Sequence, residues 1–559
     1  MTRSSSWRAA FAGAAVLAVI AWALSLASEQ ARFIVGNDAI GYITHARNFI
    51  SAKGLVGTPN ELEFPDADLA PTRYHPPGFP LLIAGVSQSG LSVTAAAVAV
   101  SRVSWVLLPF ALLFALRPIL PASAALAVTA LAVLSPGIHF YGAVVNTDVA
   151  TLLLTCTATG LVLRGFVAPR RTGYLVMAGV LLGTAYALRN SVTACYAALA
   201  VTAGAFVAFR QISVKDACVN IGLIALGSLP ILLALMARNL ALFGEIQPYV
   251  LMVGKHGTHV DSARVYIQAM ASDLTGSPWL GKIVAWDAMV FVLIALPLLL
   301  AIGWRLARLW PAQDATRRFA SLLALSYTAM GAAMLVIAHT FHGLDFGNLL
   351  RHAIQYSWLI LAAVALAASP PAPRALSASL AAALVLAAGA RMWFIHDDLR
   401  SERELAKAFE AQPAIVEAAT PHTVTGRILT DRIKHRLVAD EALRREVAKL
   451  PDGALIASNQ GQLLGWLTDR SVRTLALKSL DDLSSMASAL DHAVRTMRSD
   501  RPVYLVLVPD NLIVRAPQGA AWKEAFERAM PATWQTMAKD TNLLIVAVRP
   551  ASAGKDLRP

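Results

Sequence analysis

The residues best suited to chemistry begin with Asp38, in a polar segment that directly follows the first long apolar run. Asp38, Tyr42 and Ala46 lie at i, i+4 and i+8, a spacing that predicts a short amphipathic helix with all three on one face. On a helix at a membrane surface, the carboxylate could act on a lipid-borne substrate. Aspartate is also favoured at helix N-caps, so the position fits a structural role as well.

A second carboxylate, Asp148, stands just before the fourth apolar run. Two carboxylates near one membrane interface could serve as a base and as a hydrogen-bonding or metal-binding partner. The alternative is again structural, with Asp148 as the N-cap of the helix that the fourth run forms.

Three arginines lie at outer ends of apolar segments: Arg189, Arg238 and Arg351. An arginine there can extend its side chain to the lipid headgroups. It can also pair with a lipid phosphate, which the planar and permanently charged guanidinium suits well. Several arginines at one level favour an anion site.

Histidines and carboxylates occur in two groups, His256, His259 and Asp261, and His339, His342, Asp345 and His352. Both residue types ligate divalent metals, but neither group has the spacing of a helical zinc motif. Simple loop histidines are the alternative. The three cysteines fall in apolar runs and predict neither a disulfide nor a metal site. We predict no required metal or cofactor and leave a divalent metal open.

Composition sets the class of protein. The chain is 56% hydrophobic and 15% charged, whereas soluble domains average about 45–50% apolar and about 25% charged residues. We therefore predict a polytopic α-helical membrane protein. The net charge of +13 mostly reflects lysines and arginines in connecting loops, so it indicates membrane orientation rather than nucleic-acid binding.

Apolar runs predict about eleven spans, each near the length that a bilayer requires. They cover 11–27, 92–116, 121–140, 148–166, 173–188, 191–209, 218–237, 283–303, 321–339, 353–368 and 375–394. Arginines and lysines in the short loops place the N-terminus in the cytoplasm. The first run could be a cleavable signal or a retained helix, and we favour retention. Arg102 and Asp287 lie within spans, and Arg102 is predicted to pair with a backbone carbonyl or another helix.

Two regions lie outside the spans. Residues 29–90 form a long proline-rich outer loop, which is longer than a plain connector needs. Residues 396–559 are charged and alternate strand and helix patterns, which predicts a soluble α/β domain with a largely parallel sheet. Apolar strands are predicted at 454–457, 472–477, 503–508 and 543–548, and helices at 399–419, 440–450, 460–467, 481–497 and 520–529. We therefore divide the chain into a membrane domain, 1–395, and an extracytoplasmic domain, 396–559.

Most of residues 10–360 resembles membrane glycosyltransferases of the GT-C fold, and above all the branch of protein O-mannosyltransferases and lipid A aminoarabinose transferases. The likeness rests on three successive motifs: Asp38-x-x-x-Tyr42-x-x-x-Ala46-Arg47-Asn48, Lys53-Gly54 and His75-Pro76-Pro77-Gly78-Phe79-Pro80-Leu81-Leu82-Ile83-Ala84. Asp148, Arg189-Asn190 and Arg238-Asn239 match in order, and the segment from Ile456 to Arg470 looks like the outer domain of bacterial relatives.

The resemblance implies a sugar moved from a polyprenyl phosphate to a glycan, lipid or protein acceptor on the outer face of the bacterial inner membrane, with inversion. It makes Asp38 the general base. Substrate-binding roles fall to the remaining matched residues: Tyr42, Arg73, His75, Asp148, Arg189, Arg238 and Arg351. Departing phosphate needs cationic groups placed beforehand, which the arginines would supply.

Two positions depart from the family pattern. Many relatives carry an acidic pair where this chain has Asp38-Ala39, and some carry lysine where it has His75. Histidine is only partly charged at neutral pH, which puts the phosphate contact there in doubt. Two alternatives remain: a transporter or flippase of lipid-linked sugars, and an inactive relative whose outer domain binds a partner. Transporters tend to show repeats and midplane sites, whereas this chain concentrates polar residues at one surface.

Overall fold

A computed structural model describes most of the chain. The described residues are 3–27, 37–57, 69–71, 75–167, 172–248, 259–276, 296–342, 346–368, 386–397, 399–400, 440–474, 501–508, 522–540 and 543–549. The following paragraphs concern these residues.

Long apolar sequences form helices because the backbone hydrogen bonds of a helix are satisfied within the segment, as a bilayer demands. In the part up to residue 400 they are α1 (Arg3–Ala27), α2 (Asn37–Ile50), α3 (Gly78–Ser87), α4 (Val93–Leu116), α5 (Ala122–Val133), α6 (Pro136–Gly142), α7 (Thr147–Gly165), α8 (Thr172–Leu188), α9 (Thr193–Ala208), α10 (Val214–Phe243), α11 (His259–Thr275), α12 (Leu296–Leu309), α13 (Ala315–His342) and α14 (Phe346–Ala367). Residues 386–397 are also helical.

Five of these helices are long and apolar enough to cross a membrane, or six if α5 and α6 form one span bent by 57°, within the described part of the chain. The helical membrane protein predicted from composition is confirmed. The number of spans, about eleven by length and composition, stays a prediction.

The contact between α8 and α10 depends on small residues. A Cβ at Gly179 would overlap the carbonyl oxygen of Ile224, and a Cβ at Gly227 would overlap that of Val176. The two backbones therefore approach as closely as glycine allows, which is a common way for helices to associate in membranes. The Ser228 hydroxyl donates a hydrogen bond of 2.9 Å to the Gly179 carbonyl across this contact.

The chain forms two compact units. The first contains Met1–Ser28, Arg73–Leu82 and Ala95–Asp398, and the second contains Glu29–Thr72, Ile83–Thr94 and Leu399–Pro559. The first is largely helical. The second joins much of the first outer loop to the C-terminal region, a grouping that the sequence did not predict.

The C-terminal region contains the remaining elements. They are α15 (Glu441–Ala448), β1 (Leu455–Ser458), α16 (Gly461–Thr468), β2 (Val472–Thr474), β3 (Val503–Leu507), α17 (Trp522–Ala529), β4 (Gln535–Asp540) and β5 (Leu543–Arg549). The strands form one sheet in the order β2-β1-β3-β5-β4. Every residue of β1 and β3 is buried, as expected for central strands covered on both faces.

The α/β domain and four of its strands are confirmed, but the largely parallel sheet is not. The strands β2, β1 and β3 are parallel, whereas β3 pairs with β5 and β5 with β4 antiparallel. Sequence reasoning missed β4 because its residues are polar and mostly exposed, as at a sheet edge. The predicted helices at 399–419 and 481–497 lie outside the described residues, apart from 399–400.

Candidate functional site

The first turn of α7 begins with a cap that the sequence did not assign. Asn146 has extended backbone and is the N-cap, and its side-chain oxygen accepts a hydrogen bond from the Thr147 amide. Asp148 is the second residue of the helix. The alternative in which Asp148 caps α7 is therefore wrong, because its neighbour performs that role and leaves the carboxylate for other partners.

Asp148 is fully buried between two arginines. Its Oδ1 lies 2.6 Å from Nη1 of Arg189, and its Oδ2 lies 3.0 Å from Nε of Arg351. Arg351 also donates through Nη2 to Oδ1 of Asn146 at 3.0 Å, and Gln355 donates to the backbone carbonyl of Asp148. Asp148, Arg189 and Arg351, which the sequence placed at outer helix ends, thus meet in one cluster. We call Arg189 and Arg351, together with the carboxylate between them, the arginine pair.

The end of α8 and the second turn of α14 position these two arginines. Arg189 directly follows α8 in extended conformation, at the start of a short 3₁₀ turn, and it also donates to the Thr147 hydroxyl at 3.3 Å. Arg351 lies in the second turn of α14, with its guanidinium 5.8 Å from the centre of the Tyr141 ring. Their side chains are 11% and 12% exposed, respectively.

The cluster brings two guanidinium groups together in a nearly buried position, where both contact Asp148. A planar guanidinium can donate two parallel hydrogen bonds to a phosphate or a carboxylate. Burial strengthens such charge-assisted hydrogen bonds, because little water competes for the donors. The residue types and their placement therefore suit the binding of an anion.

The predicted re-entry segment packs against the same end of α8. His75 is half-buried, Pro76 and Pro77 are buried, and α3 begins at Gly78. A Cβ at Gly78 would overlap the carbonyl oxygen of Ala187, two residues before Arg189. The Pro-Pro-Gly sequence thus supports the backbone from which Arg189 extends.

We expect Gly78→Ala to destabilise the protein by about 1–3 kcal/mol, because the added methyl group must displace backbone rather than a flexible side chain. Thermal unfolding in detergent measures the change. Gly85→Ala in the same helix is the matched control, since a Cβ there meets nothing within 4 Å. Equal melting temperatures for the two variants would contradict the close contact.

Of the other two predicted phosphate-binding arginines, the structure describes Arg238 but not Arg73. Arg238 lies near the C-terminal end of α10, where it donates to Oδ1 of Asn239 at 3.0 Å and lies 5.7 Å from the Phe243 ring centre. Arg73 lies outside the described residues. Their phosphate-binding roles stay predictions.

Asp38 belongs to the second unit, in the first turn of α2. The predicted helix is confirmed, and on the predicted face Tyr42 and Ala46 are buried while Asp38 is half-buried. Arg47, near the other end of α2, forms a 3.1 Å ion pair with Asp469. The helix thus presents a partly accessible carboxylate at its N-terminal end and is held at its C-terminal end.

Sequence reasoning missed one buried polar cluster in the first unit. Asp273, at the end of α11, accepts a hydrogen bond from the Gly137 amide at 3.1 Å. Arg391 donates to the carbonyl oxygens of Leu131, Asp273 and Leu274, each at 2.8 Å. These groups join elements that are distant in sequence. The sequence alone showed only a charged residue within or beside an apolar run, which does not identify its partners.

Two other predictions can be compared with the structure. Arg102 donates to the backbone carbonyl of Ser25 in α1 at 3.4 Å, which confirms the predicted carbonyl partner. Among the described residues, three or more metal-ligating side chains do not come together. Both predicted histidine groups have side chains outside the described part, as does Asp287.

The fold is similar to that of solved membrane enzymes. One is ArnT from Cupriavidus metallidurans bound to undecaprenyl phosphate, at 12% identity and a TM-score of 0.55, covering 97% of this chain and 99% of that chain. Another is the Archaeoglobus fulgidus oligosaccharyltransferase in complex with zinc and sulfate, at 12% identity and a TM-score of 0.51, covering 90% and 70%, respectively. The sequence matches no protein-family model and no curated protein. The similarity confirms the predicted GT-C fold.

Proposed function

We propose that this protein is an inverting glycosyltransferase that moves a sugar from a polyprenyl phosphate to an acceptor on the outer face of a bacterial inner membrane. In this orientation the N-terminus is cytoplasmic and the C-terminal domain extracytoplasmic. The observation that carries the proposal is the arginine pair, in which two nearly buried guanidinium groups meet on a GT-C fold. The ArnT structure with undecaprenyl phosphate supports it, because it shows that this fold accommodates such a lipid.

The arginine pair would bind the phosphate that leaves the sugar. When the bond between the anomeric carbon and the phosphate oxygen breaks, the electron pair stays on the phosphate and the sugar becomes oxocarbenium-like. Arg189 and Arg351 are already charged and oriented, so they stabilise the developing negative charge without reorganisation. The product on this side is the free polyprenyl phosphate.

Asp38 would act on the acceptor. Its carboxylate removes the proton of the acceptor hydroxyl as the oxygen attacks the anomeric carbon opposite the phosphate, which gives inversion. Tyr42, one turn further along α2, packs beside it. The archaeal relative was solved with zinc, but we assign no step to a metal because the described residues bring no ligand set together.

The direct test uses the purified protein in liposomes with polyprenyl phosphates that carry different radiolabelled sugars, together with a cell-envelope extract as acceptor. We expect the label to leave the lipid and an equal amount of polyprenyl phosphate to form. Protein-free liposomes are the control. Movement of the intact labelled lipid across the bilayer without cleavage would contradict the proposal and favour a flippase.

A further inference from the structure

The helix that carries Asp38 is too short to hold its own position. It contains 14 residues, from Asn37 to Ile50. Isolated helices shorter than about 12–15 residues are marginal in water. The direction of the Asp38 carboxylate therefore depends on what α2 packs against.

One anchor of α2 lies two residues after Asp38. Ile40 is 1% exposed and belongs to the hydrophobic core of the α/β region. That core includes Leu443 of α15 and Leu463 and Leu464 of α16. A residue of the first outer loop is thus a core residue of the C-terminal domain, more than half the chain away in sequence.

A second anchor lies two turns further along, at Arg47. Its Nη2 is 3.1 Å from Oδ1 of Asp469, and its Nη1 donates to the carbonyl oxygen of Trp466 at 3.4 Å. Asp469 ends α16 in the left-handed conformation, with φ of 54°. This conformation sets the direction of the Cα–Cβ bond of Asp469, from which its carboxylate reaches Arg47 at the end of α16.

The two anchors have different effects. Burial of Ile40 holds α2 against the domain. The ion pair is partly solvated, with the Arg47 side chain 30% and the Asp469 side chain 73% exposed, and such pairs add little stability. An α-helix turns about 100° per residue, so a slip of one position would point the carboxylate elsewhere. Such a slip would withdraw Ile40 from the core and separate Arg47 from Asp469, so the two anchors together oppose it.

We propose that the C-terminal α/β domain positions the catalytic helix, with Arg47 and Asp469 as positioning residues that set the direction of Asp38. The inference rests on the proposed role of Asp38 as general base. It gives the C-terminal domain a role in transfer, as the support of the helix that carries Asp38.

The test compares Arg47→Asp, Asp469→Arg and the double exchange in the full-length protein. Misplacing a catalytic group by about 1 Å can cost about a hundredfold in rate, so we expect each single variant to lower kcat by roughly tenfold to a hundredfold. The KM for the lipid donor should stay unchanged, because the donor phosphate is bound elsewhere. The double exchange should restore kcat. Lys449→Glu, at the exposed ion pair with Glu446, is the control.

Hydrogen exchange of the α2 amides provides a readout that does not need activity. Faster exchange in the single variants and recovery in the double exchange support docking. Unchanged exchange in Arg47→Asp would overturn it, and faster exchange with unchanged kcat would overturn the positioning role. If the unaltered protein transfers no sugar, the proposed function fails, while the exchange data still decide whether α2 docks on the C-terminal domain.

Discussion

Replacing Asp38 by asparagine should lower kcat for sugar transfer by about 10²–10⁴-fold, the usual contribution of a general base. Asparagine has nearly the same shape, but its amide cannot accept the acceptor proton at neutral pH. Asp38 is the second residue of α2, where a negative charge interacts favourably with the helix dipole, so the free energy of unfolding should fall by no more than about 1 kcal/mol. Steady-state transfer assays and melting curves on the same preparation measure both quantities.

The two roles considered for Asp38 predict opposite results. A structural role in the first turn of α2 alone would leave kcat unchanged in Asp38→Asn and would appear only as a small loss of stability. Asp452→Asn is the matched control, because Asp452 is an exposed residue of the same unit. Full transfer activity in Asp38→Asn would eliminate the general base and leave only the structural role.

Local sequence patterns predicted most of the helices and strands. Apolar runs near bilayer length predicted helices, and short apolar runs predicted β1, β2, β3 and β5, because in both cases the burial of the segment depends on its own sequence. The edge strand β4 shows the limit. Its polar residues form a strand because β5 offers an unpaired edge, which is a property of the neighbour rather than of the segment.

The residues of the site could be predicted from the sequence, but the contacts between them could not. Sequence placed Asp148, Arg189 and Arg351 at outer helix ends, yet the pairing joins residues 203 positions apart in the case of Arg351 and Asp148. Asparagine and aspartate are equally favoured at N-caps, so residue type alone did not decide between Asn146 and Asp148. Similarly, Ile40 reads as part of an amphipathic helix, but only the folded chain shows that its partners lie beyond residue 440.

The second large effect is expected for Arg351→Leu. It distinguishes an anion-binding site from an ion pair with only a structural role. In Arg351→Leu, Asp148 keeps Arg189 as its partner, and one of the two guanidinium groups proposed to bind the phosphate is lost. Removing one donor to a developing oxyanion costs about 10²–10³-fold in rate, so we expect kcat/KM for the lipid donor to fall by that factor. Stability should fall by only about 1–3 kcal/mol, since Asn146 loses one hydrogen-bond donor. Arg308→Leu removes one exposed charge from the same unit and is the control.

Asp148→Asn should lower stability more than activity, which is the reverse of the result expected for Arg351→Leu. It leaves two guanidinium groups close together without their carboxylate, and removing one partner of a buried ion pair costs about 3–5 kcal/mol. Melting curves should therefore show a larger loss in Asp148→Asn than in Arg351→Leu, while donor transfer per folded molecule falls more in Arg351→Leu. If both variants lose activity only in proportion to stability, the arginine pair is a structural lock between α7, α8 and α14, and the phosphate must bind elsewhere.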